Sequence, residues 1–292
     1  MSKKIDFYQA FIYVIMFLLL IICLMPFALM VVASFSSEAS IVREGYTFIP
    51  SGYSLDAYKY LMSGSYNIFK SYAVSIGVTA LGTTLGLILT ISLAYPLSRA
   101  GMPGKNIISF VVFFTMLFNG GLIPTYIMWT TVFSIKNTYA AYILPNLLAR
   151  AFYIMMMRTY FSTSIPESII ESARIDGASE FRILLKIVMP LAKPILVTVG
   201  LLVGIGYWND WQNGLYYITE TEKYSVQVLL NSMLRAAQAT SEMSTAELAG
   251  TTIPTNGVRM ACAVMGILPI VIIYPFTQKY IVKGITIGGV KG

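Results

Sequence analysis

The chain is 292 residues long, 57% hydrophobic and only 11% charged, with 20 Lys and Arg against 13 Asp and Glu and no His. Soluble domains carry about 25% charged residues, and the apolar residues here fall in runs of bilayer length, roughly 20 residues. An outer-membrane barrel would show alternating segments of about ten residues instead, so the composition predicts an all-α polytopic membrane protein. The absence of His removes an imidazole base, a Ser-His nucleophile pair and a His metal ligand. Cys23 and Cys262 both lie in apolar runs, so neither a disulfide nor a metal site is expected.

Residues 1–10 form a short head with Lys3 and Lys4. Residues 11–32 follow without a charge. Val31-Val32-Ala33 could serve as a cleavage site, but the run exceeds the roughly 7–15 residues of a signal-peptide core, so an uncleaved helix is expected, kinked at Pro26. Residues 34–66 are mixed and polar and read as an external loop with short structured pieces. The second span is residues 69–97, where Gly82 and Gly86 form a small-xxx-small pair that either lets backbones approach or is chance in a Gly-rich chain. A tight turn over 98–106 leads to the third span, 107–133. It is interrupted at Asn119-Gly120-Gly121-Leu122-Ile123-Pro124. This break is either a bend whose polar atoms line a pathway or the outer end of a shorter span followed by an interfacial helix.

The fourth span is residues 139–160. A polar stretch, 164–194, separates it from the fifth, 191–207, which runs into Trp208-Asn209-Asp210-Trp211. Gly200, Gly204 and Gly206 suit close helix packing there. Asn119 and Asn146 either line the pathway or bond between helices. Within residues 212–256, Val226, Leu229, Leu230, Met233, Leu234 and Ala237 recur at helical spacing and predict one amphipathic helix, followed by a Ser/Thr-rich loop over 239–255. Residues 258–276 are the sixth span and 279–292 a basic, Gly-rich tail.

Six spans put both termini on one side. With the 164–194 stretch on that side too, and Arg150 counted there, it holds thirteen of the 20 Lys and Arg, against seven opposite. The Lys/Arg bias predicts that this face is cytoplasmic, and it accounts for the net charge of +7 without nucleic acid. No charge is expected deep in a span, where a proton- or sodium-driven carrier would often need one.

The 164–194 stretch has its own internal pattern. Ser164-Ile165-Pro166-Glu167 matches a capping box with Pro in the first turn. The helix it opens is expected to stop at Gly177, a residue suited to a left-handed C-terminal position. Glu171 and Arg174, one turn apart, could pair. Ser179 is a candidate N-cap for a second helix, with Phe181, Leu184, Leu185 and Val188 along one face, Arg182 and Lys186 on the other, and Pro190 and Pro194 bending the chain into the fifth span. By itself this could be an amphipathic loop packed under its own bundle.

The spacing is more specific than that. Glu171-Ser172-Ala173, three residues on Gly177, then Ile187-Val188-Met189-Pro190, resembles the EAA loop of importer-type ABC transporter permeases, departing at Ser172 and Met189. The tail Gly284 to Gly292 resembles that of MalG-type carbohydrate permeases, and the 119–124 stretch resembles the LplC-like oligosaccharide branch. The resemblance covers roughly residues 10–292. It implies the type I ABC importer permease fold: residues 1–67 as tail, first helix and external loop, 68–280 as the transmembrane domain, and 281–292 as a cytoplasmic tail. Within the transmembrane domain, 164–190 would be a coupling helix pair and 212–256 an external scoop-like loop. The resemblance also implies that Glu171, Ser172, Ala173, Asp176, Gly177 and Ala178 face an ATPase, and that Gly288, Gly289, Val290, Lys291 and Gly292 reach into the ATPase dimer.

Gly101-Met102-Pro103-Gly104-Lys105 lacks Walker A spacing, so ATP and Mg are expected on a partner and no cofactor or metal on this chain. The expected partners are a MalF-like second permease, the ATPase dimer, an extracytoplasmic solute-binding protein and membrane lipid. The expected function is a non-enzymatic permease subunit for an oligosaccharide or other carbohydrate, in the bacterial plasma (inner) membrane with both termini cytoplasmic. Alternatives are a non-carbohydrate solute, or a secondary carrier working without ATP. Tyr207, Trp208, Asn209 and Trp211 mix aromatic faces with hydrogen-bonding groups and join Asn119 as candidate pathway residues, although Trp and Tyr also anchor at membrane interfaces.

Overall fold

A computed structural model describes residues 7–63, 68–147, 150–243 and 255–289. Helices dominate. The described residues contain no strand, only one isolated bridge between Ser36 and Tyr53. The first helix, α1 (Phe7–Ser34), carries Pro26 in its interior. It is followed by α2 (Glu38–Glu44), α3 (Asp56–Ser63) and α4 (Ile68–Ser98). Ser37 caps α2 by accepting from the Ser40 N–H. Then come α5 (Lys105–Leu117), α6 (Leu122–Ile127) with a π turn at Met128–Val132, α7 (Ala140–Leu147) and α8 (Ala151–Ser164). The pair α9 (Glu167–Ile175) and α10 (Glu180–Ile183) follows, the second continuing through a π turn (Leu184–Val188) into α11 (Met189–Leu191). The chain ends with α12 (Lys193–Trp208), α13 (Gln212–Tyr217), α14 (Val226–Met243) and α15 (Thr255–Gly289).

Three helices are long and apolar enough to cross a membrane unaided: Tyr8–Ser34, Ile68–Ser98 and Thr255–Phe276. The other crossings are bent pairs. Lys105–Leu117 and Leu122–Val132 meet at 113°, so the 119–124 break turns the chain past the perpendicular. Gly121, at φ +86°, makes that turn, and α6 cannot carry α5 onward. This favours the reading of an outer end of a shorter span followed by an interfacial helix over that of a bend within one span. The fourth crossing is bent by 56° between Ala140–Asn146 and Ala151–Ser164. Arg150, the residue before α8, therefore lies within this crossing and not beneath it. That corrects the expectation of spans free of deep charge. The third bend, 84°, separates Glu180–Leu191 from the helix beginning at Lys193, as the prolines at 190 and 194 predict. We take Lys193–Trp208 as the fifth crossing.

The last crossing continues past its apolar run. α15 runs without a break to Gly289, so the backbone of most of the basic tail is helical; residues 290–292 lie outside the described residues. So does most of the predicted loop at 239–255, whose first residues continue α14 to Met243.

The chain divides into two compact units: Met1–Ile68 with Leu230–Pro269, and Phe69–Leu229 with Ile270–Gly292. In the first, the Glu38 carboxylate accepts from the Asn256 side chain at 2.9 Å and from the backbone N–H groups of Asn256 and Gly257, both at 3.1 Å. These are orphan donors at the start of α15. Leu230, Met233 and Ala237 of α14 are buried in this unit, as their periodicity requires.

In the second unit, α4 and α12 form a close seam. Gly82 faces the ring of Tyr207, Gly204 faces Thr83 and Gly200 faces Leu87. The Tyr207 hydroxyl donates to the Ile143 carbonyl at 3.2 Å, which ties α7 to the same seam. The core continues through Ile154, Met157 and Phe161 of α8 to Ile170 of α9, all essentially inaccessible.

Candidate coupling site

The end of α9 is a glycine-dependent elbow. The Gly177 N–H donates to the Arg174 carbonyl at 3.0 Å and the Ala178 N–H to the Ala173 carbonyl at 2.9 Å. This is the paired pattern of a Schellman motif, which needs a left-handed residue between the two donors. Gly177 supplies it at φ +76°. The second helix then starts on Ser179, whose hydroxyl accepts from the Arg182 N–H. Both local expectations hold because both depend only on neighbours in sequence.

Two others fail, and long-range partners are the reason. The Ser164 capping box does not form. Ser164 is the last residue of α8 and Pro166 stands at the N-cap of α9 with no side-chain cap. Glu167 instead accepts from Arg99 Nη1 at 3.1 Å. Arg99, just beyond α4, is buried and also donates to the Ser98 hydroxyl at 3.0 Å and the Phe161 carbonyl at 3.3 Å. Glu171 does not pair with Arg174. Arg174 Nε reaches across the elbow to Glu180 Oε1 at 2.7 Å, and Glu180 Oε2 accepts from the Tyr95 hydroxyl at 2.7 Å. The first turns of α9 and α10 are thus each tied to the end of α4. Tyr95 sits edge-on to Phe161 and under the Arg99 guanidinium. The hydrogen bond from Arg174, then that from Tyr95, holds the Glu180 carboxyl below the usual carboxylate range, and Glu180 raises Arg174 in return.

The second helix is also in a different register from a plain α-helix. Through the π turn, Ile183 and Val188, five residues apart, are both buried, while Phe181 and Leu185 are exposed. The predicted stripe of Phe181, Leu184, Leu185 and Val188 is therefore split between inside and outside.

The elbow turns its other face outward. Glu171, Ser172, Asp176 and Gly177 are exposed, Ala178 is half-buried and Ala173 packs inward. Ile175 is 86% exposed and Phe181 70%, standing on either side of Gly177. An apolar pair flanking acidic groups on an anchored elbow is a surface that a partner could grip.

The candidate pathway residues are distributed differently. Tyr207 and Trp208 are buried, Trp208 with its ring 6.3 Å from that of Tyr72. Trp211 is half-buried and Asn209 exposed. Asn119 is exposed and its Oδ1 accepts from the Gly121 N–H at 2.9 Å, bracing its own turn. Asn146 bonds between elements, donating to Asp210 Oδ2 at 2.6 Å. Sequence reasoning passed over Tyr95, Arg99 and Glu180. One signal was present for Arg99, a lone arginine directly after an apolar run. Tyr95 and Glu180, 85 residues apart, offered none.

Comparison with known proteins adds the wider frame. The family model described as "Binding-protein-dependent transport system inner membrane component" matches residues 82–287. The chain is 35% identical to the polygalacturonan/rhamnogalacturonan transport system permease protein YtcP of Bacillus subtilis (strain 168), over 98% of each chain. It is 35% identical to the protein LplC of the same organism, over 93% of this chain and 90% of that one. The trehalose/maltose transport system permease protein MalG of Thermococcus litoralis is 30% identical over 94% of each. Among solved structures, a bacterial ABC transporter involved in the import of the acidic polysaccharide alginate contains a chain that superposes with a TM-score of 0.79 at 31% identity, covering 96% of this chain and 99% of that one.

Proposed function

This chain belongs to the family of binding-protein-dependent transport system inner membrane components, and from that premise we propose how its parts divide the work of import. It is the multi-pass inner-membrane permease subunit of an ATP-driven ABC importer for carbohydrate, and not an enzyme. Membership implies a partner permease, an ATPase and a solute-binding protein. We infer that the partner permease is MalF-like, that ATP and Mg are held by the ATPase, and that both termini are cytoplasmic.

The observation that carries the coupling assignment is the elbow itself, anchored to α4 behind by Arg99–Glu167 and Tyr95–Glu180 and bare in front. Glu171, Ser172, Asp176, Gly177 and Ala178 then face the ATPase, with Ala173 supporting them from within. Force applied there reaches α4 through charge-assisted hydrogen bonds, which hold more firmly than neutral ones. The tail residues Gly288, Gly289, Val290, Lys291 and Gly292 are assigned to contact with the ATPase dimer. The solute passes Asn119 and the 207–211 segment, where Tyr207 and Trp208 are wall and Asn209 and Trp211 the groups within reach. Relatives carry names from arabinooligosaccharides to the acidic polysaccharide alginate, which leaves the class of sugar open. Glu171→Lys should abolish ATPase copurification and uptake while the permease pair remains assembled; full copurification and uptake would remove Glu171 from the docking surface.

A further inference from the structure

Arg150 falls within the fourth crossing, between its paired helices Ala140–Asn146 and Ala151–Ser164. It directly precedes α8, whose 14 residues rise about 20 Å from their far end at Ser164. Counting from Lys193 along α12, Gly206 stands about 20 Å up as well, and a Cβ added there would meet Arg150 Nη1 at 2.7 Å. Arg150 and Gly206 thus stand at the same level of two adjacent helices, each at a rise short of the roughly 30 Å hydrocarbon thickness. A charge at that level is costly and marks function by default.

Its surroundings orient it without neutralising it. Nε donates to the Asn146 carbonyl and Nη2 to Asn146 Oδ1, both at 3.2 Å. The guanidinium lies 6.0 Å from the ring centre of Tyr153 and 5.8 Å from that of Tyr207. The nearby carboxylate, Asp210, is otherwise engaged. It accepts from Asn146 Nδ2 at 2.6 Å, Asn213 Nδ2 at 2.7 Å and the Asn213 N–H at 3.1 Å. The Asn146 amide therefore stands between the two charges, giving to one and taking from the other. Asp210 is supplied by neutral donors, whereas Arg150 is half-buried, gives two of its five N–H groups to described residues and makes no ion pair with any described residue.

We propose that Arg150 receives an anionic group of the transported solute, and that the solute is an oligosaccharide bearing uronate carboxylates. This rests on the carbohydrate reading above and narrows it. Asn146 fixes the guanidinium plane through Nε and one Nη2 hydrogen; the parallel N–H groups of Nη1 and Nη2 at the far end have the geometry a carboxylate takes up bidentately and a lysine ammonium does not reproduce. Gly206 leaves the space Nη1 occupies, so a side chain there displaces the fork without removing its charge.

The test uses the assembled importer with its ATPase and binding protein in proteoliposomes, and compares uptake of digalacturonate with that of galactobiose, its neutral counterpart. In Arg150→Gln the ratio of digalacturonate to galactobiose uptake should fall about tenfold or more, the size expected for charged hydrogen bonds. In Arg150→Lys, which keeps the charge and so protects assembly, it should fall less than in Arg150→Gln. Equal loss of both sugars in both variants overturns the proposal and makes Arg150 a packing residue. A wild-type importer that carries galactobiose but not digalacturonate overturns it while leaving the carbohydrate reading in place. Carriage of neither likewise overturns the uronate assignment, and the carbohydrate reading fails with it only if neutral oligosaccharides of other sugars, arabinooligosaccharides included, are not carried either.

Discussion

Gly82 and Gly177 both resist replacement by a residue with a side chain, for opposite physical reasons. At Gly82, in the α4–α12 seam, an added Cβ would stand 2.6 Å from two ring carbons of Tyr207. That ring cannot swing away cheaply, because its hydroxyl is bonded to the Ile143 carbonyl. At Gly177 nothing lies within 4 Å of an added Cβ, but the backbone sits at φ +76°. One position is set by space and the other by conformation. The seam is therefore a rigid joint that tolerates no atom. The elbow tolerates atoms but not a change of backbone. A lever needs both, a stiff arm and a fixed angle at its tip.

The largest effect should come from the seam. Gly82→Ala forces Tyr207 or the helices apart at a cost of about 1–3 kcal/mol, read as a lower thermal midpoint of the purified protein. A larger residue should be worse. Gly82→Asn being less harmful than Gly82→Ala would break the contrast, since it would make conformation the controlling factor there too.

At the elbow the order reverses. Gly177→Ala places an L-residue in the left-handed region at about 1–2 kcal/mol, whereas Asn visits that region more readily. Uptake and ATPase assembly should fall in Gly177→Ala and recover in part in Gly177→Asn, although Asn is the bulkier side chain. The comparison of the two variants in one uptake assay is the measurement. A larger loss in Asn than in Ala would mean that the surface, not the backbone angle, is what the partner reads.

The same division between local and distant causes explains what could be read from the chain. The Gly177 stop and the Ser179 cap are decided within a few residues, and spacing reveals them. The Ser164 box, the Glu171–Arg174 pair and the Phe181 stripe were equally good local patterns, but each competes with something elsewhere. Arg99, 68 residues away, takes Glu167. Glu180, across a turn whose angle is invisible in the sequence, takes Arg174. A π turn shifts the stripe's register. The apolar runs located the spans, but a run cannot tell a straight helix from two helices at 56° or 113°. Arg150 shows the consequence. The charge balance counts it with the cytoplasmic cations although it falls inside the predicted span at 139–160, and the bent pair places it against Gly206 of the fifth crossing.

The smallest expected effect concerns how firmly the elbow is pinned to itself. Glu180 is held below its ordinary value of 4.5, first by Arg174 and then by Tyr95. A depressed carboxylate contributes stability that is fully present above its ordinary pKa and lost as pH falls through the lowered one. The Arg174–Glu180 contribution should therefore be constant from neutral pH down to about pH 5 and disappear below its lowered value. Both side chains are substantially exposed, 43% and 53%, so solvent screening limits the pair to about 0.2–1 kcal/mol. In thermal midpoints measured across that range, the destabilisation caused by Glu180→Gln relative to wild type should be flat near neutrality and shrink in acid, because the wild type loses there what the variant never had. A difference that instead grows in acid would mean that Glu180 gains its partners as the neutral acid, donating to Tyr95 rather than accepting from it. The elbow would then be pinned by Arg99 and Glu167 alone.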